Sequence, residues 1–339
     1  MYPEHGVIEG FYFIAYSGVI FYSKGVVHPP WSVIGYPKYY PSPEGERVSR
    51  ISGARYHKLE SPSEQFKLAR ELGCKVYYDE YIGAEAPHID VGSIERVLNP
   101  IEKARELISG EECLDNVLCK AREMIIDLID NSGVKPHAIG LSGSILAGLH
   151  TSSSDIDIVV YGEREGREVY EYLKKAVEEG GLYERYGPET IRGVYESRAR
   201  ETPVSFEEAL QQARRRVLEG LFKGTEYFIR LVKPAPPREA YGMARYEKIG
   251  RSVLKAVVLD DSDSIYTPCR YAVRVKEFIS GVEAPVREIY SLRGRFAEIA
   301  RSGEEVVARG VVEKVCYADG EVAYRLYLGY PGDYLRVIV

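Results

Sequence analysis

The sequence predicts an α+β protein: a central α/β domain with a mixed sheet, flanked by an N-terminal and a C-terminal β-rich module. Three observations predict it. Residues 111–131 and 167–179 carry apolar side chains at three- and four-residue spacings, the pattern of amphipathic helices. Short apolar runs at 138–141, 155–160 and 226–232 alternate with those helices, as in a sheet covered by helices on one face. Both flanks are instead rich in β-branched and aromatic runs punctuated by Gly and Pro. A chain of 339 residues has the length of two or three domains. We expect them at 1–110, 111–235 and 236–339.

Taken in order, 11–16 and 19–22 flank Ser17-Gly18 and read as a hairpin. Residues 31–40 are strand-forming but broken by Pro37. Lys38, Arg47, Arg50, Arg55 and Lys58 lie among Trp31, Tyr36, Tyr39, Tyr40 and Tyr56. Such interleaving stacks bases and neutralises phosphates in nucleic-acid binders, although core aromatics beside a solvated edge account for it more simply. Residues 63–72 read as a Ser-capped helix ending at Gly73, 75–81 as a strand, and 94–108 as a helix interrupted by Pro100. Residues 205–221 read as a helix bearing Arg214, Arg215 and Arg216, which a solvated face accounts for more simply, although one or two suit a phosphate or an RNA backbone. A linker at 234–237 and a short amphipathic segment at 246–259 lead to about five short strands. These predict a small barrel, by analogy an oligonucleotide-binding one, made basic in its first half by Arg287, Arg293, Arg295 and Arg301.

Net charge is −6, so any nucleic-acid contact must come from a local basic patch. The five cysteines form no C-x-x-C pair and have no His at ligand spacing, which fits reduced cytoplasmic thiols. No basic region, apolar core and cleavage site opens the chain, and 7–22 is too short and contains Glu9. A cytoplasmic location without a membrane segment is therefore expected. Only three Gln and three Asn stand against abundant Arg, Glu and Tyr, which suggests a thermophilic source.

The chemistry concentrates in 137–161, HAIGLSGSILAGLHTSSSDIDIVVY. A strand-length run ends in Ser142-Gly143-Ser144, small residues that let backbone approach a ligand. A helix start there would offer unpaired N–H groups to phosphate oxygens. In Asp155-Ile156-Asp157-Ile158 the two acids share one strand face. Two such carboxylates repel unless a cation lies between them. Hard oxygen ligands on one face suit Mg²⁺, which completes its shell with water and substrate phosphates.

At these residues the stretch resembles the nucleotidyltransferase superfamily that shares its catalytic domain with DNA polymerase β. Its pattern is Gly-Ser after a strand, roughly ten residues, then Asp-x-Asp on a second strand. Here it reads Gly143-Ser144 … Asp155-Ile156-Asp157, with Ser154 before the first acid. The resemblance covers about 25 residues tightly and 110–235 loosely. It implies two Mg²⁺ held by Asp155 and Asp157, an NTP bound at Gly143, Ser144, Ser154 and Arg230, and transfer of a nucleotidyl group to a hydroxyl acceptor. The acceptor could be RNA, a protein or a small molecule. The family's third carboxylate lies two positions before an Arg, where this chain has Phe228. Glu226, on the same strand face, is the candidate replacement; Asp260, Asp261 or Asp263 is the other. If neither serves, the chain is a non-catalytic nucleotide- or RNA-binding protein.

Overall fold

The computed structural model describes residues 6–110, 113–199 and 201–338, without the side chains of 197–199. Its first sheet holds β1 (Tyr12–Ala15), β2 (Ile20–Ser23), β3 (Ser32–Pro41), β4 (Arg47–Val48), β5 (Arg55–Lys58), β6 (Lys75–Asp79), β7 (Ala84–Asp90) and β8 (Ile94–Leu98). β1 and β2 are the expected hairpin, with Phe13 opposite Phe21 and their rings stacked at 5.3 Å. β3 runs unbroken through Pro37. That residue sits opposite Phe21 where the register with β2 shifts, a place where a missing N–H is tolerated.

Helix α1 (Pro62–Glu71) starts one residue earlier than expected because Ser61, not Ser63, caps it. Ser61 and Glu64 form a reciprocal capping box. The helix expected over 94–108 is instead β8 followed by α2 (Pro100–Ser109). Pro100 begins the helix rather than interrupting it, since a first-turn N–H has no intrahelical partner to lose. Asn99 caps it, accepting from the Ile101 N–H at 2.9 Å.

The central sheet is mixed, as predicted. It contains β9 (Ile139–Leu141), β10 (Ile156–Tyr161), β11 (Tyr183–Glu184), β12 (Glu219–Phe222) and β13 (Thr225–Val232), in the order β11-β12-β13-β10-β9. β10 and β13 run parallel, while β9 and β12 pair antiparallel to them. Helices α3 (Asn116–Ser132) and α5 (Glu163–Glu179) cover one face; α4 (Gly143–Leu146) links β9 to β10. Leu128 and Leu173 pack against Ile156, Ile158 and Val160 in this core. The other face presents Val159 and Val232 to Phe11, Phe13 and Phe21 of the first sheet.

Two further helices, α6 (Pro188–Ala199) and α7 (Phe206–Arg215), lie between β11 and β12. The helix expected over 205–221 therefore stops at Arg215. The N–H groups of Val217 and Leu218 turn to the buried carboxylate of Glu298 at 3.0 and 3.2 Å, a partner from far along the chain.

The third sheet holds β14 (Ala244–Asp260), β16 (Cys269–Gly281), β17 (Glu288–Ser291), β18 (Glu305–Tyr317), β19 (Val322–Tyr327) and β20 (Tyr334–Val337), while the intervening β15 (Tyr266–Thr267) joins β13 of the central sheet. Pairing of β14 with β18 closes β14-β16-β17-β19-β18 into a barrel. The segment read as short and amphipathic is part of its 17-residue strand β14. No helix among the described residues is long and apolar enough to cross a membrane.

Leu128 is fully buried under the central sheet. Leu128→Ala should lower unfolding free energy by about 3 kcal/mol, read as a lower urea midpoint with an unchanged slope.

Candidate functional site

The site begins where β9 ends. Gly143 has φ +63°, and a Cβ placed on it would lie 1.9 Å from Asp157 Oδ2. Only glycine allows the bend to press against that carboxylate. Ser142 fixes the bend twice. Its N–H donates to the Asp157 carbonyl at 2.8 Å and its hydroxyl to the Gly10 carbonyl at 2.6 Å. The bend is thus tied both to β10 and to the first sheet.

Register fixes what faces Asp157. β10 pairs with β13 so that Asp157 lies beside Phe228 and Val159 beside Arg230. Asp155, Asp157, Glu226, Phe228 and Arg230 consequently share the face away from α3 and α5. The Arg230 guanidinium lies 5.3 Å from the centre of the Phe228 ring and pairs with Glu9. Glu9 is fully buried and also meets Lys24 at 3.2 Å.

Electrostatics follow from this packing. Burial, then the neighbouring Asp155, pushes Asp157 up to about 7 against the pull of Arg230, Lys38 and Lys58. Burial would also raise Glu9, but Lys24, Arg230 and the Gly25 N–H together hold it below the usual carboxylate value. Burial draws Lys24 down to about 8, opposed by Glu9. The Asp157 carboxylate accepts no hydrogen bond from the described residues. A half-buried acid against a bare glycine, without a donor, suits a cation brought from solution.

Asp157 and Gly143 open into a cavity of about 770 Å³ between the three sheets. Lys24, Lys38, Arg230, Arg293 and Arg295 line it, against the carboxylates of Glu85, Asp157 and Glu201. Tyr22, Tyr36 and Phe66 make an aromatic wall, with Tyr22 and Tyr36 stacked at 5.6 Å and Phe66 edge-on to Tyr36. Tyr327 and Tyr330 of the barrel side complete it. Flat apolar faces joined to cations suit a ligand with an aromatic ring and phosphates.

The structure brings Gly143, Asp157 and Arg230 to this cavity. Asp155 is exposed at the start of β10, outside the cavity wall. Ser144 also lies outside the wall, its hydroxyl buried without a hydrogen-bond partner among the described residues. Ser154 does not reach it either. Its hydroxyl accepts from the Thr151 N–H at 2.9 Å and closes the 151–154 loop. Glu226 is exposed and outside the cavity, with Phe228 between it and Arg230. Asp260 and Asp263 line a separate cavity of about 470 Å³, where Asp263 pairs with Lys233 at 2.6 Å. No three His, Cys, Asp or Glu side chains among the described residues are grouped to hold a metal. None of Glu226, Asp260 and Asp263 lines the cavity with Asp157, and the residue in register with Asp157 on β13 is Phe228.

The triple arginine also resolves. Arg215 makes a bidentate pair with Glu304 at 2.6 and 2.7 Å, Arg216 pairs with Glu219, and Arg214 is exposed. Among the N-terminal cations, Lys38 lines the cavity, whereas Arg47 donates to the Leu149 carbonyl at 3.2 Å and Arg50 pairs with Asp115 at 2.7 Å. Sequence reasoning missed Glu9 and Lys24. The available signal was a lone acid in an apolar run, which must find a cation if buried.

Residues 123–200 match the family model described as a nucleotidyltransferase domain, a span that includes Gly143, Ser144, Asp155 and Asp157. The chain is 27% identical over 321 residues to an uncharacterized protein of Methanocaldococcus jannaschii, covering 92% of each chain. No solved structure matches it.

With its pKa raised in the fold, Asp157 favours the folded state only while protonated. Stability is lost as pH rises from about 4 through 7. In metal-free protein, Asp157→Asn should match wild type near pH 4 and exceed it at pH 8 by on the order of 2 kcal/mol. Melting curves across that range, with and without Mg²⁺, check this; the ion should raise wild type alone.

Proposed function

The chain carries a nucleotidyltransferase domain, and from that premise we propose that it is a metal-dependent nucleotidyltransferase acting in the cytoplasm. It moves a nucleoside monophosphate from an NTP to a hydroxyl acceptor and releases pyrophosphate. The observation that carries this reading is the Asp157 carboxylate, without a donor, pressed against Gly143 at the wall of a cationic and aromatic cavity. The division into parts at 110 and 235 belongs to the same proposal, with the catalytic centre in the middle part and both flanks walling its cavity.

Asp155 and Asp157 would hold Mg²⁺, which would supply Lewis-acid charge at the reacting phosphate. The acceptor oxygen forms a bond to the α-phosphorus, and the bond from that phosphorus to the bridging oxygen breaks. Its electron pair leaves with pyrophosphate, and the hydroxyl proton passes to solvent. Gly143 bounds the space for the β- and γ-phosphates, with Ser144 behind it in the same bend. Arg230, fixed by Glu9 and Phe228, offers charge without having to reorganise. Ser154 acts indirectly, by closing the loop before Asp155. Tyr22, Tyr36 and Phe66 give the base of the nucleotide, or the acceptor, a stacking wall.

The second reading, nucleotide or RNA binding without catalysis, is favoured by one observation: Phe228 stands where the family places an acid. Titration with the four NTPs and Mg²⁺, beside an assay for released pyrophosphate and a panel of RNA, protein and small-molecule acceptors, separates the two. Catalysis requires release; binding alone supports the second reading. If catalysis holds, Asp157→Asn should reduce release by about 10²–10³-fold and leave the far-UV circular dichroism unchanged.

A further inference from the structure

Phe228 does more than occupy a position. Gly294, in the loop after β17, packs on its ring so closely that a Cβ there would lie 2.6 Å from Phe228 Cζ. The loop crosses the face of the central sheet beside the residue in register with Asp157. This contact carries Arg293 and Arg295 into the cavity. Glu201 meets both, at 3.1 Å and 2.9 Å, so one carboxylate is shared by two guanidiniums and the three side chains remain net positive.

Two dications in one site repel strongly and need carboxylates between and around them. Here Asp157 lines the cavity and Asp155 is exposed outside its wall, while the two other carboxylates of the lining are already paired, Glu85 with Arg70 and Glu201 with Arg293 and Arg295, and five cationic side chains line the same space. The third carboxylate that would complete a second ion's shell is replaced by the ring that docks the arginine loop. The residues fit one ion and do not fit two.

We propose that this site takes a single divalent ion with its nucleotide, and that Arg293 meets the charge a second ion would meet on the departing phosphates. The proposal rests on the nucleotidyl-transfer reading. When the bond from α-phosphorus to bridging oxygen breaks, the electron pair moves onto pyrophosphate, and a guanidinium fork matches those oxygens. Arg293 gives up Glu201 for the phosphates. It touches the leaving group.

Electron paramagnetic resonance of Mn²⁺ bound to the full chain tests this without turnover. The probes are the α,β-methylene analogues of ATP, CTP, GTP and UTP. Saturation should show one Mn²⁺ per chain with an isolated-ion spectrum. Arg293→Ala should weaken the bound analogue about tenfold or more while Mn²⁺ binding without nucleotide is unchanged, and Arg293→Lys should recover part of the loss. Two Mn²⁺ per chain with a spin-coupled spectrum would overturn the single-ion site and leave nucleotidyl transfer standing. An Arg293→Ala variant that binds the analogue as wild type does would remove the role given to that residue. Failure of all four analogues to bind would count against nucleotidyl transfer itself, and against this inference with it.

Discussion

The Glu9 carboxylate is wholly buried and faces Arg230, 221 residues away in the chain. A buried charge survives only when paired and hydrogen-bonded, and removing one member typically costs about 3–5 kcal/mol. Glu9 has three such supports: Arg230, Lys24 and the Gly25 N–H. The pair therefore sets the distance between the first sheet and the central one. It also holds Arg230 over Phe228, beside the acid of the site. Apolar packing of Val159 and Val232 on Phe11, Phe13 and Phe21 joins the same two sheets beside this polar contact.

The barrel is joined to the same centre by a different device. Where the first sheet uses charge, the loop after β17 uses close approach, glycine against an aromatic ring. Arg216 adds a second tie, donating to the Arg295 carbonyl while paired with Glu219. The cavity is composite for this reason. Its acid comes from the central sheet, its stacking wall mainly from the first, and two of its arginines from the barrel side. Two of the three successive arginines, Arg215 and Arg216, are consumed by holding these parts together.

Local chemistry was legible in the sequence where the residues involved lie close along the chain. The bend at Gly143 and the alternation at Asp155 and Asp157 sit on neighbouring strands joined by one short connection, so period and spacing sufficed. Helices α3 and α5 declared themselves through their apolar stripes. The segment at 94–108 misleads because its apolar residues suit either period, and Pro100 starts a helix there instead of interrupting one. The end of α7 was hidden because Glu298 draws the next two N–H groups away. Glu9, Lys24 and Arg293 reach the site only through tertiary packing, which no window of sequence displays. Glu226 was placed on the right face by its spacing, but spacing does not tell which residues of a face lie under a neighbouring layer.

The tether from the Ser142 hydroxyl to the Gly10 carbonyl has a consequence for how such a chain can change over evolution. The middle portion is not a cassette. Lifted out alone, it would bare Val159 and Val232 and strand a guanidinium without its counter-ion. Any replacement for the N-terminal portion would have to bring a carboxylate, an apolar cushion and a correctly aimed carbonyl at once.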